Sequence, residues 1–476
     1  MNPLTASAME MAAALRARRL TSRALVDAHI ARVVAVNRRI NAMVQFRFDE
    51  ARVEADAADA RLASDESRDT LPPLLGVPCT IKENFAFPGF PQVSGMVSRR
   101  KAIATVEAPA VSRLRAAGAI VLGFSNTPEL CMWMETANRV YGRTGNPYDH
   151  RRIAGGSSGG EGALIGAGAS PFGLGADVGG SIRFPAFFNG VFGHKPTPGI
   201  VPNTGQYPEP TGDMNRNCVT GPIARRADDL WPLLKILAGP DGVDPVCTAG
   251  ALRGDPRRVK LDKLRIFAIR DDGKRKVAAD LSAAQARAAE WLGSQSSQKL
   301  TWLQPPALRK AFDIWAALMH AAEPEPFAVQ LGEGRRISTF LELAKWPLGL
   351  TPHTLPALVL ALIETLPLPT RRYVEMGKAL REELIETLGD DGVLLYPPYT
   401  RVAPLHNHPL LTPFDFAYCG IFNVLGFPST QVPLGLNEQG LPLGVQVVGA
   451  PGRDAQTIAV ARALEKQFGG WVMPPS

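Results

Sequence analysis

Two stretches rich in glycine and serine lie close together, GGSSGG at 155–160 and DVGGS at 177–181, and no histidine stands beside either. A serine hydroxyl is a weak nucleophile until a neighbouring base takes its proton, and histidine is the usual base. Either these serines are turn chemistry, or the base is another residue type. In GADVGGSIRFP an apolar run, 172–178, reads as a strand that feeds Gly179-Gly180-Ser181, with a helical turn after it. Glycines there let backbone N–H groups converge on one point. That is the make-up of an oxyanion hole with the Ser181 hydroxyl beside it. A lysine can replace histidine as the base, because removal from water disfavours the ammonium form. Lys82, at the end of the apolar run PLLGVPCTIK, is the better candidate. Lys195 in GHKPTPG is the competitor, in what reads as a proline-rich turn near the surface.

Two other motifs fit less well. Gly156 to Gly160 matches G-x-S-x-G, but a nucleophile elbow needs a strand before it, and NPYDHRRIA is polar and turn-like. No Gly-Lys-Ser/Thr follows the glycines, which removes the phosphate-loop reading.

Around these groups the chain alternates between helical and strand patterns. Helices are expected near 5–17, from Thr21 or Ser22 onward, and over 48–64. APAVSRLRAAGAIVLGFSN reads as a helix, a stop at Gly118 and a strand through Val121, an α/β pattern. EGALIGAGAS reads as a helix whose Gly162 and Gly166 mark close packing against another backbone. From 255 to 415 longer helical patterns broken by proline suggest a cap with an apolar wall, including LPALVLALIETL at 355–366. A hairpin is expected around Asn437–Gly440, and a closing amphipathic helix follows.

Composition excludes several classes. The chain has 476 residues, 45% hydrophobic and 20% charged, which describes an ordinary globular protein. A net charge of +7 comes from scattered basic groups, with no basic run interleaved with aromatics, so nucleic-acid binding is not expected. Five cysteines without a CxxC pair argue against a disulfide frame or structural zinc and suit a reducing, cytoplasmic setting. No secretory signal order and no bilayer-length apolar run occur, so no integral membrane segment is expected.

The run 155–198, GGSSGGEGALIGAGASPFGLGADVGGSIRFPAFFNGVFGHKPTP, resembles the amidase signature family, and its fatty-acid amide hydrolase branch above all. LLGVPCTIKENF, SNTPELCMW, YGRTGNPYD and FNVLGFPSTQVPLG with GLPLGVQVVG carry the resemblance through most of the chain. It implies an α/β fold, a large twisted mixed β-sheet covered on both faces by helices. The whole chain, 1–476, would be one amidase domain: helices in 1–70, a triad-bearing core in 71–250, the helical cap-like part in 255–415, and closing strands and helix in 416–476.

The resemblance also implies a Ser-Ser-Lys triad, with Ser181 as nucleophile, Ser157 as a bridge after a cis peptide, and Lys82 as base. The oxyanion hole falls on the N–H groups of Val178, Gly179, Gly180 and Ser181. Ser158 would hydrogen-bond around Lys82, while Asp177 and Arg183 brace the loop. Ala176 stands where many relatives carry threonine, which puts part of that support in question. Cys131, Met132, Trp133 and Phe187 are placed near the substrate pocket.

The implied activity is hydrolysis of linear amides with a sizeable apolar or aryl part, extending to carbamates (urethanes) and esters. No cofactor or metal is implied, and the expected partner is a small-molecule amide or carbamate bound by a monomer or homodimer. The alternative is the glutamine-hydrolysing component of a tRNA-dependent amidotransferase, which needs a polar glutamine pocket that no motif here supplies.

Overall fold

Short runs of valine, isoleucine and leucine bounded by glycine become strands in the computed structural model, which describes all residues except 65–69, 323–324, 366–368 and 476. β1 (Met43–Phe46), β2 (Pro78–Lys82) and β3 (Ile120–Ser125) come first. β4 (Ala137–Asn138) and β5 (Gly142–Arg143) make a separate two-stranded sheet. β6 (Phe172–Asp177), β7 (Phe192–Lys195) and β8 (Val219–Ala224) follow, then β9 (Arg265–Ala268), β10 (Thr301–Trp302) and β11 (Gly392–Tyr396). β12 (Ser429–Leu436) and β13 (Pro442–Gly449) form the expected hairpin.

Among the described residues, eleven of these strands build one mixed sheet in the order β1-β3-β2-β6-β8-β7-β12-β13-β11-β9-β10. β2 runs parallel to both β3 and β6, whereas β8 pairs antiparallel with both β6 and β7. Strands β2, β3, β6 and β8 are buried along their whole length, as near-continuous apolar runs must be when helices cover both faces.

The helices form where their caps and periodicity direct. Thr21 caps the helix Ser22–Ile40 by accepting the Ala24 N–H at 3.1 Å. In the helix Gly159–Gly166, a Cβ on Gly162 or Gly166 would stand 2.7 Å from atoms of Asn189, so the close approach read from these glycines is present. That helix lies across β2, β3 and β6.

The segment 255–415 departs from the expected helical cap. It supplies β9, β10 and β11 to one edge of the sheet, together with a core of Phe267, Ile314, Leu380, Leu394 and Tyr396. These strands hold four, two and five residues, too few to show a period of two against the long helices around them. The apolar stretch 355–366 forms the helix Leu355–Ile363, and its last residue, Leu366, lies outside the described residues. Among the described residues, no helix is long and apolar enough to cross a membrane.

Candidate active site

β2 delivers Lys82 at its last position, in register with Ser125 of β3 and one residue past the end of its pairing with β6. The Lys82 Nζ donates to Ser157 Oγ at 2.7 Å. Ser157 belongs to the loop 155–158, which runs over the strand ends and enters the helix Gly159–Gly166. The peptide Gly156–Ser157 is cis. A Cβ on Gly156 would lie 2.3 Å from the Trp133 carbonyl oxygen, so the loop is seated directly on residues 133–135.

The second loop follows β6. Its link to the first is a backbone bond from the Ser158 N–H to the Ser181 carbonyl at 3.2 Å. Exposure rises from Lys82 at 0% through Ser157 at 2% to Ser181 at 8%, so Ser181 is the most accessible of the three. Gly180 holds φ +120°, and a Cβ there would stand 2.3 Å from the Phe184 ring, so only glycine fits.

Asp177 and Arg183 organise this loop from beneath. Both are fully buried, and Arg183 Nη2 stands 3.0 Å from Asp177 Oδ1 while its Nε donates to Oδ2 at 3.0 Å. Burial alone would raise the Asp177 carboxyl, but the Arg183 charge and hydrogen bonds outweigh it and hold it below the usual carboxylate range. Arg183 also donates to the Cys419 carbonyl and to Gln446 Oε1, each at 3.0 Å. Asn423 Nδ2 donates to the Asp177 carbonyl at 2.8 Å.

The expected oxyanion set changes at one member. Gly180 N–H is committed to Asp177 Oδ1 at 2.6 Å. The N–H groups of Val178, Gly179 and Ser181 donate to no group among the described residues. Trp315, on the helix Ala311–Ala321, donates from Nε1 to the Val178 carbonyl at 3.2 Å and fixes that peptide's orientation.

Three further expectations are corrected. Ser158 Oγ donates to the Ala176 carbonyl at 3.4 Å and not to Lys82, because its side chain turns down against Gly175. Lys195 lies in no surface turn. β7 carries it between β8 and β12, where it is fully buried. Its Nζ donates to the Pro196 carbonyl at 3.1 Å, and burial, with the Arg183 guanidinium nearby, pushes its amine down to about 7. Phe187, expected near the substrate pocket, is only 1% exposed. All six residues of the helix Arg183–Phe188 are buried, and the Phe187 ring packs 5.1 Å from that of Phe188 in the main core.

Cys131 and Met132 are partly exposed, on a segment where Leu130 and Cys131 both take left-handed backbone, φ +52° and +59°. Cys131 Sγ lies 3.2 Å from Thr127 Oγ1. Met132 packs against Met96, Leu130, Phe327 and Leu331, whereas Trp133 packs on the main core. Sequence reasoning missed Trp315, Asn423 and Gln446. Only Gln446, a polar residue within the apolar run GVQVV, left a signal. Among the described residues, no group of three or more His, Cys, Asp or Glu side chains is placed to hold a metal ion.

A family model of amidases matches residues 24–458. The chain is 45% identical to fatty-acid amide hydrolase 2 of Homo sapiens, over 99% of this chain and 90% of that protein. It is 30% identical to an acylamidase of Rhodococcus erythropolis, over 96% of this chain and 94% of that protein. Among solved structures, 6-aminohexanoate cyclic dimer hydrolase complexed with substrate superposes with a TM-score of 0.82 at 26% identity, covering 99% of each chain.

Proposed function

The chain belongs to the amidase family and hydrolyses carbon–nitrogen amide bonds, and on that premise we propose that Ser181, Ser157 and Lys82 are its catalytic triad. The observation that carries this reading is the buried 2.7 Å contact between Lys82 Nζ and Ser157 Oγ, one residue from the backbone link to Ser181.

Lys82 accepts the proton of the Ser157 hydroxyl as Ser157 accepts that of Ser181. The freed electron pair on Ser181 Oγ bonds to the carbonyl carbon, and the carbonyl π pair moves onto oxygen. The N–H groups of Val178, Gly179 and Ser181 stabilise this oxyanion, held ready before the charge develops. Collapse re-forms the carbonyl and breaks the C–N bond. The stored proton returns through Ser157 to the leaving nitrogen. Water then attacks the acyl ester by the same relay and releases the acid.

The substrate is an amide with an extended apolar or aryl part. Met132, partly exposed and packed on the apolar cluster of Met96, Leu130, Phe327 and Leu331, supports this reading, as do Trp315 and Phe416, which pack around Gly179. Similarity to a fatty-acid amide hydrolase supports the same class. Carbamates and esters present the same attackable carbonyl and react by the same steps.

A substrate panel on the purified protein tests this, with long-acyl and short-acyl anilides, an aryl carbamate, an ester and glutamine. Long-acyl anilides should give the highest kcat/KM, with glutamine untouched. Ammonia release from glutamine without turnover of the anilides would replace this reading with the amidotransferase-type one.

A further inference from the structure

Glu161, the third residue of the helix Gly159–Gly166 and four positions after Ser157, lays a fully buried carboxyl against the sheet behind the triad. Thr80 Oγ1 donates to its Oε2 at 2.7 Å. Thr80 and Lys82 are two apart on β2 and therefore share one face of the sheet. Room for the carboxyl exists because Gly173 stands in register with Thr80: a Cβ there would lie 1.7 Å from Oε2. The second oxygen, Oε1, is buried without a partner among the described residues. So is the hydroxyl of Ser125, the residue in register with Lys82 on β3. An apolar side chain would fill this place without the cost of burying a carboxyl.

We propose that Glu161 is a positioning residue that governs where the proton of Lys82 resides, an inference that rests on Lys82 being the base. As a neutral acid it leaves the lysine free to release its proton. As a carboxylate it favours the ammonium form, which cannot accept one. Burial pushes the Glu161 carboxyl up to about 7, against the opposing influence of the Thr80 and Ser125 hydroxyls and of Lys82. Ser125 lies near enough to favour the ionised form, though no hydrogen bond joins the two side chains. The ionisable groups around it are few. β2 brings Lys82 and the Cys79 thiol, which burial and then Glu161 push up. β3 and β8 carry no ionisable side chain, and Asp177 at the far end of β6 is paired with Arg183 of the next helix.

The test is the pH profile of kcat/KM on one anilide for the wild type, Glu161→Gln, Thr80→Val and Lys82→Ala. Glu161→Gln keeps an acceptor for Thr80 and removes the charge. Its acid limb should move to lower pH by about one unit, whatever the plateau height, as for two coupled sites that lose one member. Thr80→Val, which removes the hydroxyl favouring the carboxylate, should move the limb the same way by less, and it decides the matter if Glu161→Gln does not fold. A rate loss with the limb unmoved in both variants, while Lys82→Ala is inactive, overturns the inference alone. Undiminished amide turnover in Lys82→Ala overturns the triad, and the inference with it.

Discussion

Lys82 Nζ stands 2.7 Å from Ser157 Oγ, and neither group is open to water beyond a 2% exposure of the serine. In the proposed relay this contact serves both to activate Ser181 and to protonate the leaving group. Amide cleavage depends on the second step more than ester cleavage does, because an amine leaves poorly without a proton. Lys82→Ala is therefore expected to lower kcat/KM for an amide by roughly 10²–10⁴-fold and for the matching ester by clearly less. Steady-state rates on the acyl-matched pair measure this. Equal losses on both would remove lysine from leaving-group protonation.

Ser181 is the most exposed of the three groups, and the N–H groups of Val178 and Gly179 just before it donate to no group among the described residues. A fluorophosphonate should react there, and peptide mass mapping should place the label on Ser181. Ser181→Ala should abolish both labelling and anilide turnover with its circular dichroism unchanged. A label on Ser158 would contradict this assignment and favour a nucleophile elbow at 156–160, despite the coil that precedes that loop.

Much of this site was legible because its parts are local. An apolar run that ends in lysine signals a strand tip, and two glycine-serine loops that flank a strand signal converging backbone. The errors arise where burial depends on the sheet as a whole. Lys195 precedes Pro196, Pro198 and Gly199, so its local chemistry reads as a surface turn, and only the insertion of β7 between two other strands buries it. Phe187 looked like a substrate wall because it follows the nucleophile loop, but the short helix that holds it is enclosed on every side. Trp315 and Asn423 were illegible. They lie 137 and 246 positions from the loop atoms they bind, with no pattern linking the segments.

The Asp177–Arg183 pair gives a stability prediction. Arg183→Ala leaves a buried carboxylate without its guanidinium partner and frees Gln446 Oε1 and the Cys419 carbonyl of a donor. The expected loss is about 3–5 kcal/mol, the usual result of breaking a buried pair on one side. Urea unfolding monitored by tryptophan fluorescence measures it. A midpoint within error of the wild type would mean that the pair does not brace the loop.

A second buried carboxyl makes stability depend on pH. Asp229 accepts the N–H groups of Ala8 at 2.8 Å and Met9 at 3.0 Å, at the start of the helix Ala8–Arg16. Burial pushes it up to about 7 from an ordinary 3.8, although both N–H bonds and Arg225 act against the shift. Between those two values the folded chain keeps a proton that the unfolded chain has lost. Folding weakens as pH rises through that window, and the full penalty is present above it. Asp229→Asn has no such titration. Its unfolding free energy relative to the wild type should therefore improve between about pH 4 and pH 7.5, by up to roughly 4 kcal/mol. Urea melts of both proteins at several pH values provide the check. A difference that stays constant across the window would show that Asp229 is ionised in the folded protein throughout.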